Sequence, residues 1–295
     1  MELSFMVQNK VHLLSIDLEE WFHILDYEET NSPQKWEKFP SRMTESTERL
    51  LALFEKHEVK ATFFVLGWVA RKVPTLVQKI ADAGHEIGCH SENHSLIYLM
   101  SRDEFEQDLY SSISILRDIS GQPVNMYRAP GFSITRKCLW AFDALVKQGI
   151  TIDSSVFPAA RTHGGLEGFP TEPFLIKTSL GNLRELPIST FGLAGKRVAF
   201  SGGGYFRLFP TFIHSFFTKS ATKNAKPIIM YLHPRDIDAS QPRLSLPLVR
   251  YIKTYINLNS TYHKLDYLLK NFSYGTVTDV ISKINWEETK VVKLR

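Results

Sequence analysis

Short apolar segments alternate with segments of helical periodicity along most of the chain, and this alternation constrains the fold more than any other feature. Seven apolar segments have the length and composition of buried strands: 11–17, 61–67, 85–90, 125–130, 150–156, 183–188 and 227–234. Four amphipathic segments lie between them and are predicted as helices: 44–59, 73–85, 101–121 and 135–150. A strand followed by a helix, repeated every roughly 25–40 residues, predicts parallel βα units and therefore an α/β fold.

Helix-end signals support these boundaries. Thr44 is a candidate cap for the first helix, and Ser101 with Glu104 forms a capping-box sequence at the start of the third. Gly84 and Gly121 follow the ends of two helices, where a left-handed residue stops a helix.

Composition predicts a soluble globular protein. The 295 residues are 43% apolar and 22% charged, and they contain no internal repeat. We predict one domain over 1–295, with a motif-bearing core at about 11–236 and a helical extension at about 240–295. The net charge of +4 is too small to indicate a nucleic-acid partner, and the oligomeric state is left open.

Several absences favour a cytoplasmic location. The chain has no run of 18 apolar residues, and its first residues lack the pattern of an export signal. Cys89 and Cys138 are the only cysteines and form no CxxC motif, which is typical of a reducing compartment. The inner face of the membrane is the alternative location.

Polar residues follow the predicted strands, where parallel α/β folds collect functional groups. Asp17 and Glu19 are two apart after the first strand, so their side chains point the same way on an extended chain. One carboxylate can bind a metal while the other acts as a base. The alternative is a solvated loop or a helix N-terminus.

His90 and His94 follow the third strand at the spacing of one helical turn, although ten histidines also give such pairs by chance. With a carboxylate they make a two-histidine, one-carboxylate set, which suits a divalent metal. We expect zinc, with cobalt, iron and nickel as alternatives. Arg128 is expected either to pair with a buried carboxylate or to lie in a surface turn, and His233 either to act as a general acid or to be structural.

Taken in order, the segments SIDLE, HSENH, RAPGF, DSS and YLHP resemble the motifs of the NodB-homology polysaccharide deacetylases, carbohydrate esterase family four. The resemblance covers about 11–236 and is nearest to a bacterial subgroup found near exopolysaccharide assembly genes. It implies a distorted (β/α) barrel with about seven parallel strands.

The resemblance also implies a role for each matching residue. Asp17 matches the general base, His90 and His94 the metal ligands, Arg128 the arginine that orients the base, and His233 the general acid. Asp153 and Ser154, in the DSS motif, are expected to support the site.

The chain departs from the family pattern at two positions. Leu18 stands where the family has a metal-binding aspartate, so Glu19 is expected to be the ligand, with Glu20 as the alternative. Gly131 stands where many relatives have tyrosine, and its backbone N–H is expected to stabilise the oxyanion.

The implied activity is metal-dependent removal of an N-acetyl group from an amino sugar, on a nucleotide or lipid carrier, in exopolysaccharide or O-antigen synthesis. Two alternatives remain: a deacylase of a non-sugar or formylated amide, and a catalytically silent carbohydrate-binding barrel.

Aromatic residues near the motifs are expected either to stack on sugar or to form a core wall, namely Trp21 and Phe132. Arg207 ends a glycine-rich stretch that is either a substrate-gripping loop or a turn before a helix. The aromatic segment 205–226 is predicted to pack in the core rather than on a membrane, because Pro210 interrupts an amphipathic helix.

Overall fold

A computed structural model describes residues 11–25, 27–161 and 163–294 of the chain. Twelve strands lie in these ranges: β1 (His12–Leu18), β2 (Thr62–Val65), β3 (Glu86–Cys89), β4 (Met126–Tyr127), β5 (Ile152–Asp153), β6 (Phe174–Lys177), β7 (Asn182–Glu185), β8 (Thr190–Leu193), β9 (Lys196–Ala199), β10 (Ile229–Leu232), β11 (Tyr274–Gly275) and β12 (Lys290–Lys293).

The same ranges contain eleven α-helices: α1 (Pro33–Trp36), α2 (Met43–Lys56), α3 (Gly67–Lys72), α4 (Pro74–Asp82), α5 (Arg102–Ser120), α6 (Trp140–Lys147), α7 (Gly203–Leu208), α8 (Thr211–Lys223), α9 (Leu248–Tyr255), α10 (Leu258–Asn271) and α11 (Val277–Ile281). Of the helices described, none combines the length and the apolar character needed to cross a bilayer.

The chain forms two compact units, and the first comprises 1–61 and 200–283. Its central strand β1 pairs in parallel with β10, where Leu13 lies opposite Ile229, and with β11, where His12 lies opposite Tyr274. Every residue of β1 is buried. A strand covered on both faces reads as a near-continuous apolar run, which is why 11–17 is recognisable in the sequence.

The second unit comprises 62–199 and 284–295. Its strands follow the order β2-β3-β4-β5-β7-β6-β12. The pairs from β2 to β7 are parallel, β6 runs antiparallel to β7, and β12 is parallel to β6. β8 and β9 form a separate antiparallel hairpin.

The predicted α/β class with a mostly parallel sheet is confirmed. All seven predicted strands and all four predicted helices are present, and the capping box of Ser101 and Glu104 forms, with Gly121 left-handed at the end of α5. The predicted Thr44 cap is wrong, because α2 begins one residue earlier and Thr44 lies inside it. Five strands were not predicted, including β11 and β12 within the C-terminal region expected to be helical.

Asp108 on α5 is expected to make the stability of the folded second unit depend on pH. Its carboxylate accepts a hydrogen bond from the Glu92 backbone N–H at 3.0 Å, and burial raises the pKa of Asp108 to about 7. Folding therefore favours the protonated, neutral form of Asp108. The contribution of Asp108 to the free energy of unfolding is fully present below about pH 4 and is lost as pH rises through about 7. We expect Asp108→Asn to reduce the fall in unfolding free energy between pH 5 and pH 8 by about 2–3 kcal/mol. Urea unfolding at both pH values measures this, and parallel pH profiles of variant and wild type would contradict it.

Candidate active site

The first unit gathers Asp17, Glu19 and His233. Asp17 and Glu19 lie at the end of β1, and His233 directly follows β10. Because β1 and β10 are parallel, with Ile16 opposite Leu232, their carboxyl ends meet at one edge. His233 Nε2 lies 3.9 Å from Asp17 Oδ2 and 3.8 Å from Glu19 Oε1. One ligand atom from each of the three buried residues lies within 4.8 Å of the others.

Asp236 fixes the orientation of the His233 imidazole. Its Oδ2 lies 3.0 Å from His233 Nδ1 and accepts the His233 backbone N–H at 2.9 Å, within the short turn Pro234–Ile237. The carboxylate stabilises the tautomer with hydrogen on Nδ1, which leaves Nε2 directed at Asp17 and Glu19. Burial lowers the pKa of His233 to about 4, although the Glu19 and Asp17 carboxylates oppose the shift.

Arg207 lies behind Asp236. It is in α7, only 4% exposed, and forms an ion pair with Asp236 while donating to the Lys253 carbonyl at 2.7 Å. Arg207 thus lies in neither the loop nor the turn expected for it: it is in α7, with its guanidinium buried and paired with Asp236. The role of Asp236 was not predicted from the sequence. The His-x-x-Asp spacing of His233 and Asp236 was the pattern that could have indicated it.

Glu20 has a different environment from Glu19. Ser41 Oγ donates to its carboxylate, and the Arg42 backbone N–H donates to Oε2 at 3.2 Å, immediately before α2. Burial raises the pKa of Glu20. The Glu20 carboxylate thus satisfies backbone donors at the start of a helix, where a carboxylate is favourable.

Trp21 packs as a core wall. It is 3% exposed, its rings meet Phe22 and Phe39 edge-on at centroid distances of 5.5 and 5.3 Å, and Nε1 donates to the Pro40 carbonyl. These contacts correspond to the core-wall alternative for this residue rather than to a sugar platform.

The second unit brings His90 and His94 together, with ring centroids 5.7 Å apart and both side chains buried. They lie in a loop, not on the helical turn that their spacing suggested, because Ser91 and His94 have left-handed backbones with φ of 67° and 55°. His90 Nδ1 lies 2.6 Å from the Arg128 carbonyl. Because a carbonyl only accepts, Nδ1 carries the hydrogen and Nε2 presents its lone pair, which is the state of a metal-binding histidine.

Arg128 is fully buried, which excludes the surface-turn alternative. Its Nη2 donates to Ser154 Oγ at 2.8 Å, its Nε donates to the Ser154 carbonyl, and its guanidinium lies 4.2 Å from the Phe64 ring centroid. Ser154 Oγ donates in turn to the Leu186 carbonyl at 2.8 Å. Ser154 therefore supports the arginine, in the sense expected from the DSS motif.

Asp153 forms a buried acid pair that sequence reasoning missed. Parallel pairing of β5 and β7 places Glu185 opposite Asp153, and both are fully buried. Burial, and then the charge of Asp153, raises the pKa of Glu185 well above its usual range. Asp153 also accepts from Ser155 Oγ at 2.6 Å. The sequence signal for this pair is the alternation of exposed and buried positions along β7, which places Glu185 on the buried face.

Gly131 and Phe132 form the turn after Arg128. Both have positive φ, 60° and 56°, and the turn Pro130–Phe132 contains them. Phe132 is 3% exposed, and its ring centroid lies 5.5 Å from that of Phe157. Phe132 therefore also packs as a core wall, while Gly131 offers its backbone only.

Comparison with known protein families gives two matches, each over part of the chain. Residues 34–149 match the family model described as polysaccharide deacetylase, and 154–282 match a domain of unknown function, DUF3473. His90, His94 and Arg128 fall in the first match and His233 in the second, whereas Asp17 and Glu19 precede both.

Curated relatives are similar over part of their length. A peptidoglycan-N-acetylglucosamine deacetylase from Bacillus cereus is 30% identical over 122 residues, which is 37% of this chain and 44% of that protein. A peptidoglycan-N-acetylmuramic acid deacetylase from Bacillus subtilis is 33% identical over 84 residues, 28% of this chain and 32% of that one. The chain thus spans less than half the length of these relatives.

A solved structure has the same fold over nearly the whole chain. It is a protein from Mycobacterium smegmatis assigned to the polysaccharide deacetylases, with a TM-score of 0.67 and 17% identity, covering 98% of this chain and 95% of that one. The similarity confirms the predicted fold type. The polysaccharide deacetylase match at 34–149 and the shared fold agree with the resemblance of the sequence motifs to the NodB-homology polysaccharide deacetylases, carbohydrate esterase family four.

Proposed function

We propose that this protein is a metal-dependent hydrolase that removes the N-acetyl group from an amino sugar and releases acetate. The observation that carries the proposal is the buried group of Asp17, Glu19 and His233, with both carboxylates within 4 Å of one imidazole nitrogen. Such a group can accept a proton at one atom and deliver it at another. The names of the relatives, which act on acetylated sugars of peptidoglycan, support the substrate class.

The residues present fit a divalent metal. His90 has the tautomer of a ligand, and His94 lies beside it. We assign Glu19, His90 and His94 as ligands. His90 and His94 match the family's ligand histidines, and Glu19 is the carboxylate next to Leu18, which stands at the family's aspartate position. Glu20 is engaged before α2. Imidazole and carboxylate donors suit zinc, with cobalt, iron or nickel as substitutes. When bound, the ion supplies Lewis acidity, which polarises the amide carbonyl and acidifies water.

The chain's own residues then move the protons. Asp17 accepts a proton from the water that attacks the acetyl carbon, and Arg128 takes the family role of orienting Asp17. Since burial lowers the pKa of His233 to about 4, its resting imidazole is neutral at pH 7. Asp17 then passes this proton to His233 Nε2, which lies 3.9 Å away. His233 in turn delivers the proton to the departing nitrogen. The Gly131 N–H stabilises the oxyanion that forms when water adds to the acetyl carbon. The oxyanion then collapses, the C–N bond breaks, and acetate and a free amine leave.

A test on the leaving group isolates the role of His233. We expect His233→Ala to lower kcat on an N-acetyl amide by roughly 10²–10⁴-fold, and Asp236→Asn to lower it less, because Asn preserves the shape without the charge. An aryl acetate ester needs no proton on its leaving oxygen, so its hydrolysis should fall by less than about tenfold. Equal losses on amide and ester would contradict an acid role for His233.

The substrate class is tested by a panel of N-acetylated sugars. We place the substrate among nucleotide-linked or lipid-linked amino sugars of exopolysaccharide or O-antigen assembly. Acetate release is measured on an N-acetylglucosamine oligomer, a UDP-linked sugar and a polyprenyl-linked sugar, with a formylated amide as control. Release from any of the three supports a sugar deacetylase, and release from the UDP-linked or the polyprenyl-linked sugar supports the carrier. Release from the oligomer alone would contradict the carrier. Release only from the formylated amide, or none with metal bound, would overturn the proposal.

A further inference from the structure

Four helices of the first unit expose apolar side chains to solvent. Helix α7 contacts α9 and α10, and α8 contacts α10, so the four lie together. The most exposed apolar residues of α7, α8 and α9 are Phe212 (68%), Phe216 (65%), Leu208 (48%), Leu248 (73%), Val249 (66%) and Ile252 (48%), and in α10 Tyr267 is 45% exposed. The predicted core packing of 205–226 is thus wrong in part: α8 begins after Pro210, which precedes the helix without interrupting it.

Helix α8 is amphipathic with its apolar side outward. Phe212, Phe216, Lys219 and Lys223 recur at the three- and four-residue spacing of one helical stripe, and all four are exposed. The buried residues of α8 are polar: His214, Ser215 and Thr218. A helix stabilised only by the folded unit would bury its phenylalanines, so this stripe indicates a surface that meets an apolar medium.

Helix α9 repeats the arrangement. Tyr255 is its only buried residue, while Leu248, Val249 and Ile252 point outward beside Lys253. Tyr255 anchors the helix, since its hydroxyl accepts the Leu244 backbone N–H at 2.9 Å, and Arg207 donates to the Lys253 carbonyl at 2.7 Å. Leu248, Val249 and Ile252 are exposed and take no part in this attachment.

Basic residues outnumber acidic ones in and between these helices. No carboxylate occurs at 186–235 or at 239–265, although both segments contain several lysines and arginines. The four helices contain a single acidic residue, Asp266, which pairs with Lys56 at 2.6 Å and His57 at 2.8 Å. Exposed cations include Lys219, Lys223 and Lys253.

We propose that the exposed apolar residues of α7, α8 and α9, with Lys219, Lys223 and Lys253, form a membrane-docking surface for an anionic bilayer. Aromatic and aliphatic side chains with lysines beside them are the combination that enters the headgroup region, where apolar burial and attraction to anionic lipid add. The lack of carboxylates at 186–235 and 239–265 gives this surface the charge that complements anionic lipid headgroups.

The groove between α8 and α10 fits the same partner. It has a volume of about 830 Å³ and is lined by residues that include Phe212, Phe216, Lys219 and Tyr267. An acyl chain or headgroup could rest against the rings with its phosphate near the lysine.

The docking surface is also close to the catalytic histidine. A Cβ added to Gly203, the first residue of α7, would lie 3.5 Å from His233 Cε1, and α7 ends at the exposed Leu208. Six residues at 1.5 Å per residue span about 9 Å. A docked protein would hold His233 near the bilayer surface, which suits a lipid-linked substrate, although docking itself does not depend on the proposed reaction.

Vesicle sedimentation with the full chain tests the proposal. Vesicles of phosphatidylcholine alone are compared with vesicles containing phosphatidylglycerol. We expect the wild type to sediment with the anionic vesicles, and the double variant Phe212→Ser with Phe216→Ser to bind at least about tenfold more weakly. Lys219→Glu with Lys223→Glu should lose a similar amount on anionic vesicles only. Leu180→Ser, an equally exposed apolar residue of the second unit at 54%, is the matched control and should bind like wild type.

Other outcomes would overturn the proposal. They are a wild type that sediments with neither vesicle, variants that bind like wild type, or a surface covered by a second copy. In the last case light scattering would show a dimer that the two serine substitutions convert to monomer. Circular dichroism confirms that each variant is folded, and acetate release from a water-soluble substrate, if detected, should be unchanged by them.

Discussion

His90→Ala or His94→Ala is expected to abolish metal binding and to lower acetate release by roughly a thousandfold or more. The reason is that each imidazole would supply a ligand in the proposed metal site, where a bound ion contributes several kcal/mol to the stabilisation of developing charge. The Arg128 carbonyl, 2.6 Å from Nδ1, orients the His90 ring. Metal content after purification without chelator, followed by acetate release at saturating substrate, measures both effects.

Two adjacent glutamates provide the control for this prediction. Glu19→Gln should lose metal like the histidine variants, whereas Glu20→Gln should keep metal and most activity, because Glu20 serves the start of α2. Both changes remove one negative charge from neighbouring buried positions, so general destabilisation would affect them alike. Metal loss in Glu20→Gln with retention in Glu19→Gln would reverse the assignment.

Asp17→Asn is expected to lower kcat by roughly 10²–10⁴-fold while metal content stays that of the wild type. Asparagine has nearly the same shape but cannot accept the proton from the attacking water. KM should change little, because the substrate's other contacts remain. Loss of metal from Asp17→Asn would show instead that Asp17 is a ligand, and an unchanged kcat would exclude it as the base.

Much of the fold could be predicted from the sequence because its dominant elements carry local signals. The fully buried β1 reads as an apolar run, and the Ser101 capping box and Gly121 mark the ends of α5 by local hydrogen bonding and backbone geometry. Parallel pairing then places Asp17 and His233 at one edge although they are far apart in sequence.

The unpredicted features depend on long-range contacts. β6 and β12 pair with each other across more than a hundred residues, and neither has a distinct pattern. Glu185 becomes an acid with a raised pKa only because β7 lies beside β5.

Local backbone geometry limited the prediction of the site in a similar way. Ser91 and His94 have left-handed backbones although neither is a glycine, so the sequence does not indicate this loop conformation. Pro210 appeared to break a helix because its position relative to the start of α8 could not be known from composition.

Chelation and metal restoration test the central claim most directly. The wild type is assayed on an N-acetylated sugar accepted in the panel, with acetate and free amine measured together, before chelation, after it and after addition of zinc. Acetate and amine should appear in equal amounts, stop on chelation and return with zinc. Release that continues unchanged in the chelated, metal-free protein would contradict a metal-dependent deacetylase.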